Sequence, residues 1–262
     1  MMRIARLLRE GQPPAYAALE GHEARLFDRA PWHNGVPTGE LISWNTAMLL
    51  APVEPSKIIC VGRNYAAHAR ELGHALPSEP LLFFKPPSSV VGPNADVVLP
   101  AVSGRVDHES ELALVIGMRA KNLTRENSLA HLAGSTAAND VTARDLQKTD
   151  GQWARAKGFD GFCPLGPWVD TRTDAAFFAS LSVCCTVDGT ERQRGLTSDM
   201  IFDVTAVLVC ISAIFTLEPG DVILTGTPEG VAPLAHHAQC TVAIYDNANN
   251  EVFSLTNRFV AG

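Results

Sequence analysis

The chain has no stretch long and apolar enough for a membrane helix. Its longest largely apolar run, Ala206 to Leu217, has 12 residues and already includes Ser212 and Thr216, whereas a spanning helix needs about 20. The first residues, MMRIARLLREGQPP, contain no apolar core of signal-peptide length. There is no Lys/Arg cluster, and 21 basic against 28 acidic residues leave a formal charge of −7, which argues against binding a phosphate backbone. Cysteine is scarce: six residues, none in a C-x-x-C arrangement. Cys184 and Cys185 are neighbours on an expected strand and point to opposite faces. Buried free thiols in a reducing compartment are the expectation. Repeats and low-complexity tracts are also missing. These absences describe a cytoplasmic chain with no nucleic-acid and no membrane partner.

What is present can build a core. Of the 262 residues, 46% are apolar and 19% charged, enough for one large domain or one domain with a small appendage. The first 55 residues read as short strands, RIARLL, AYAALEG and HEARLFDR, followed by the turn-rich HNGVPTGE. LLAPVEPSK, with Pro52 and Pro55, reads as a linker. Beyond it, IICVGRNY opens a strand, and NYAAHAREL predicts a helix capped by Asn64. LLFFKP, ADVVLP, ELALVIG and DVILTG predict strands. LTRENSLAHLAG predicts a helix from Thr124 to about Gly134, and TSDMIFDVTAVLVCISAIF another. LSVCCTVDGTERQRG reads as a hairpin turning at Asp188-Gly189, and CTVAIYD with EVFSLTNRFV as a final strand pair. Strands dominate without a regular βαβ alternation, which predicts an α+β, β-rich mixed fold and not a Rossmann sheet.

The segment VDHESELALVIG places Glu109 and Glu111 at the mouth of an apolar strand. Residues two apart on a strand share a face, about 6.6 Å apart at ~3.3 Å rise per residue. Two carboxylates in a poorly solvated place repel, so one binds a proton or both meet a cation. The plain alternative is a solvated strand end paired with Arg105 or Arg119. A third carboxylate, Asp140 in TAANDVTARDLQ, follows the small-residue strand STAA; it either joins a metal set or caps the next helix. Oxygen ligands without thiolates suit Mg²⁺, Mn²⁺ or Ca²⁺. On a helix after Asp140, Arg144 and Gln147 lie three apart on one face, placed to hold an anion.

GRNYAAHARELG, FFKP, HESELALVIG, NDVTARDLQ, AKGFDGFCPLGP and LTGTPEGV occur in this order. With them the chain closely resembles the fumarylacetoacetate hydrolase family over roughly residues 57 to 260. The resemblance implies a mixed β-roll catalytic domain over residues 56–262, a small N-terminal β-rich domain over residues 1–55 and a homodimer. It also implies Mg²⁺ or Mn²⁺ held by Glu109, Glu111 and Asp140. Arg144, Gln147 and Thr227 would bind the substrate, a small 2-oxo dicarboxylate, with Lys85 and Arg63 as further cationic candidates. Lys157 would supply charge or pass a proton, although read alone it is an ordinary surface lysine. His68 and Glu71, three apart on the predicted helix, would act as a base and its orienting carboxylate; read alone they are an exposed pair.

By this resemblance the expected activity is metal-dependent C–C cleavage of a small 2-oxo acid through a metal-stabilised enolate, as acylpyruvate hydrolase, oxaloacetate decarboxylase or both. One alternative is isomerisation of 2-hydroxyhepta-2,4-diene-1,7-dioate in aromatic-compound degradation. Another is a ligand-binding β-roll without chemistry. The segment between Gln147 and Trp153, KTDGQ, is shorter than in several single-domain relatives, which leaves the substrate open.

Overall fold

The computed structural model describes residues 1–71 and 75–262. The predicted end of the first helix, at Leu72, lies outside them. Two mixed sheets form the frame. The larger has 12 strands, and its main path runs Pro37–Ser43, Glu23–Phe27, Gln12–Glu20, Arg3–Arg9, Cys163–Asp170, Leu132–Asn139, Ser110–Ile116, Val222–Leu224, Ile58–Gly62, Leu81–Lys85. The second orders Thr190–Leu196, Ser182–Val187, Gln239–Tyr245, Glu251–Ala261 and Asp96–Leu99. A two-stranded ribbon pairs Val106–Asp107 with Thr142–Ala143.

The unbroken apolar run from Leu112 to Ile116, in the strand Ser110–Ile116, is explained by burial on both faces. Leu112, Leu114 and Ile116 enter a core shared with Val183, Val242, Phe253 and the helix Val204–Ile214. Ala113 and Val115 face the other way, against Ile58, Cys60, Val222 and Leu165. The first 50 residues have their own small core of Ala5, Leu7, Ala17, Leu26 and Leu49. Their sheet is nevertheless continuous with the rest, because Arg3 and Ile4 pair with Asp170 and Val169.

Three helical expectations are corrected. LTRENSLAHLAG forms only a 3₁₀ turn, Ser128–His131, before entering the strand Leu132–Asn139. That strand pairs with both Ser110–Ile116 and Cys163–Asp170, so sheet hydrogen bonding overrides local helix preference. Gly134, the expected helix stop, lies inside the strand at φ 151°, where a Cβ would sit 2.0 Å from the Asp170 carbonyl oxygen. The later apolar helix is shorter than expected, Val204–Ile214, because Asp203 caps it by accepting from Ala206 N–H at 2.7 Å. Asn64 does not cap the helix Ala66–Glu71. Its amide donates to the carbonyls of Phe202 and Thr225, and its oxygen accepts from Phe202 N–H. The Asp188-Gly189 hairpin and the final strand pair form as expected.

All six cysteines are free, and five are buried. No helix among the described residues is long and apolar enough to cross a membrane.

Candidate metal centre and active site

Two adjacent strands of the large sheet bring the carboxylates together. Glu109 immediately precedes Ser110–Ile116 and Glu111 is its second residue. Asp140 follows Leu132–Asn139, and its N–H donates to the Glu109 carbonyl at 2.8 Å. The intervening pairing, Ser110 with Asn139 and Glu111 with Ala138, fixes this register. Each of the three carboxylates offers an oxygen, and the three oxygens lie within 4.8 Å of one another. Glu109 is 5%, Glu111 2% and Asp140 0% exposed. The solvated strand end considered from sequence is therefore not what forms. Nor does Asp140 cap a helix, since the next one starts at Arg144 with Ala143 before it.

Buried cations surround two of the three. Lys157 donates to Glu109 Oε2 at 2.8 Å and also to Asp140 Oδ2. Lys85 donates to Asp140 Oδ1 at 2.7 Å. Arg144 divides its donors among Glu109 Oε1 at 2.5 Å, Asp107 Oδ2 at 3.0 Å and Gln147 Oε1 at 2.6 Å. Among the described residues Glu111 has no cationic partner, and Gly226 N–H, at 2.6 Å, is its one hydrogen bond. Burial, reinforced by Asp140 and Glu109, pushes the Glu111 carboxyl well above the ordinary carboxylate range. Burial also presses Glu109 upward, but Lys157, Arg144 and His68 outweigh it and hold that group low. Burial lowers Lys157, yet Asp140 and Glu109 more than compensate and keep it charged.

The donor set fits a divalent cation. The oxygens are hard, close together and short of one positive charge, and that charge is missing at Glu111. Such a set matches Mg²⁺ or Mn²⁺, which take oxygen ligands at about 2.0–2.2 Å.

Above the carboxylates opens a cavity of about 380 Å³, whose walls include Arg63, His68, Arg144, Gln147, Lys157 and Thr227. His68 is buried at 4% exposure on the helix Ala66–Glu71, with Nδ1 3.3 Å from Glu71 Oε2. Glu71 in turn accepts from Gly230 N–H at 3.1 Å. Lys157, far from being a surface lysine, is 2% exposed. Of the eleven site residues named from sequence, nine line this cavity, and Glu71 stands behind it, against His68. Lys85 is also set back: it holds Asp140 from behind and bonds the Val141 carbonyl, away from the cavity wall. Sequence reasoning missed Phe83, Lys148 and Trp153 on the walls. Phe83 and Trp153 meet edge to face at 5.2 Å. A lone tryptophan beside a polar loop, and a lysine next to Gln147 on the same helix, were the available signals.

With this architecture and site, the chain belongs to the fumarylacetoacetate (FAA) hydrolase family: the model of the family's C-terminal domain matches residues 57–258. Residues 2–52 match a second model, described as Rv2993c-like, N-terminal. Among individual relatives, Protein Rv2993c of Mycobacterium tuberculosis is 44% identical over 244 residues, covering 89% of this chain and 90% of that protein. Human oxaloacetate tautomerase FAHD2B, mitochondrial, is 45% identical over 73% of this chain and 62% of its own length. The crystal structure of 2-hydroxyhepta-2,4-diene-1,7-dioate isomerase from Mycobacterium marinum is 40% identical, with a TM-score of 0.87 over 100% of this chain and 99% of that one. The chain is an enzyme of this family.

Proposed function

We propose that the chain is a Mg²⁺- or Mn²⁺-dependent enzyme that moves a proton on a small 2-oxo dicarboxylate, interconverting its keto and enol or dienol forms. The observation that carries this reading is Glu111: a buried carboxylate with no cation among the described residues, beside two that have theirs, at the floor of a cavity with cationic walls. The names of two relatives, a tautomerase and an isomerase, support proton transfer as the reaction class.

A dication held by Glu109, Glu111 and Asp140 would supply a Lewis acid for the 2-oxo oxygen, lowering the cost of negative charge there. The chain's own residues do the rest. His68, its Nδ1 turned to Glu71, is left with Nε2 to take a proton from the carbon beside the 2-oxo group. Lys157 adds an ammonium to the same small volume, favouring the enolate over the ketone. Arg144 and Gln147 present a joined polar edge to a carboxylate. Arg63 and Lys148 add positive charge on the walls for the second one. Phe83 and Trp153 limit water access.

C–C cleavage is the second reading, favoured by the His68–Glu71 pair, which could equally take a proton from an attacking water in an acylpyruvate hydrolase. Oxaloacetate decarboxylation belongs to the same reading and needs no water. One experiment separates these. Oxaloacetate is supplied with Mn²⁺, its enol absorbance is followed, and pyruvate is measured in parallel. Rapid enol–ketone exchange without pyruvate supports the first reading, and stoichiometric pyruvate supports the second. Activity that survives EDTA removes both. The expected homodimer and cytoplasmic location stand as part of this proposal, and light scattering on the purified chain checks the first.

A further inference from the structure

The hairpin of Ser182–Val187 and Thr190–Leu196 contributes nothing to the cavity wall, yet one of its side chains reaches the residues behind it. Gln193, 1% exposed, uses both ends of its amide. Its oxygen accepts from Ser110 N–H at 3.0 Å, from Ser110 Oγ at 3.2 Å and from His108 Nδ1 at 2.8 Å. Its nitrogen donates to Thr227 Oγ1 at 2.7 Å and to the Pro228 carbonyl at 2.8 Å. The orientation is not free to reverse, because a backbone N–H can only donate and a carbonyl can only accept.

We propose that Gln193 is a positioning residue: it aims the Thr227 hydroxyl into the cavity as a hydrogen-bond donor and ties the loop carrying Thr227 to the strand carrying Glu109 and Glu111. The hydroxyl already accepts from Gln193, so its own hydrogen is available, and no described residue takes it. Thr227 faces the cavity, where that hydrogen suits a carboxylate or 2-oxo oxygen. The same loop gives Gly226 N–H to Glu111 and Gly230 N–H to Glu71, so one clamp sets the metal ligands, the anion donor and the base's partner relative to each other. Close packing of loop on hairpin shows at Gly230, φ 94°, where a Cβ would lie 2.1 Å from the Arg192 carbonyl oxygen. Sequence reading saw the hairpin but not this role, because Gln193 and Thr227 are far apart in the chain.

The ligand part of the inference rests on the proposed function; the clamp does not. Two measurements keep them distinguishable. In the metal-free protein, hydrogen–deuterium exchange of residues 226–231 is compared between wild type and Gln193→Glu, which keeps the acceptor end and loses the donor end. In the Mn²⁺-loaded protein, oxalate binding is measured by calorimetry for wild type, Gln193→Glu, Thr227→Val, Thr227→Ser and the double variant Gln193→Glu/Thr227→Val. The expected results are about tenfold faster exchange in the loop and about tenfold weaker oxalate binding for each single change, the loss of one hydrogen bond to a charged group. The double variant is expected to bind no more weakly than the worse single variant, and Thr227→Ser to bind as wild type does. Wild-type oxalate affinity in Gln193→Glu or Thr227→Val, or multiplied losses in the double variant, would overturn the proposal. If the wild type itself fails to bind oxalate, the proposed function falls, and unchanged loop exchange in Gln193→Glu then overturns the clamp as well. Should the new buried carboxylate prevent folding, Gln193→Met, of similar volume and without polar groups, replaces it in both measurements.

Discussion

Glu111 and Glu109 sit in the same cluster with opposite consequences for stability. The Glu111 carboxyl is raised in the folded protein above its ordinary value of 4.5 by burial, Asp140 and Glu109. The stability this confers is present below that value and is lost as pH rises through the raised one, because the unfolded chain releases the proton first. Glu109 is lowered and acts in the other direction: its contribution is present above 4.5 and disappears on acidification. The metal-free protein is therefore expected to lose thermal stability as pH rises above 4.5 and through the raised Glu111 value, and Mn²⁺ to restore it increasingly over that range, since the ion requires the deprotonated ligand. Melting curves with EDTA or Mn²⁺ across that range check this; a Mn²⁺ effect that does not grow with pH would contradict it. Removing the cation from Lys157 leaves two buried carboxylates exposed to each other. Lys157→Met is expected to cost about 3–5 kcal/mol in EDTA. Mn²⁺ should raise its melting temperature by more than it raises that of the wild type, because the dication replaces the missing charge. Equal Mn²⁺ shifts in the two proteins would show that Lys157 does not share the site.

At the scale of elements, the short helix Ala66–Glu71 carries the proposed base, and the loop after Val222–Leu224 holds its partner in place through Gly230. His68→Ala is expected to lower the Mn²⁺-dependent rate by about 10²–10⁴, the usual worth of a general base, while leaving Mn²⁺ affinity within about threefold of wild type, a small change on the scale of binding energies. Steady-state kinetics with Mn²⁺ titration reads both, and a change in affinity as large as the change in rate would make His68 a metal-site residue instead. The elements also show what local sequence could reveal. Glu109, Glu111 and Asp140 were visible because period-two alternation and a strand-end position are local signals. STAA was read as a strand, but Leu132 to Gly134, the start of Leu132–Asn139, were misread as the end of a helix, because their strand character comes from neighbours in residues 110–116 and 163–170 that local preference does not register. Lys157 illustrates the same limit at one residue: nothing in RAKGFD marks a lysine as 2% exposed. Its burial follows from the two carboxylates it meets.

For the molecule as a whole, the strand pairing between Arg3–Arg9 and Cys163–Asp170 joins the N-terminal strands to the sheet that carries the carboxylates. A chain lacking residues 1–55 would unpair Val169 and Asp170 and leave that end of Cys163–Asp170 as a new open edge, while Cys163 and Pro164 stay paired with Val90 and Val91. It is expected to aggregate on size-exclusion chromatography where the full chain elutes cleanly. A monodisperse, Mn²⁺-binding fragment would show instead that the boundary suggested by the proline-rich linker is also a boundary of folding.

The carboxylate floor is built where the large sheet is buried on both faces, whereas the rim from Lys148 to Gln152 is mostly open to solvent. Anyone wishing to retarget this catalyst would thus leave its foundations alone and graft new sequence between Gln147 and Trp153, where diversity can be sampled without disturbing the reaction beneath.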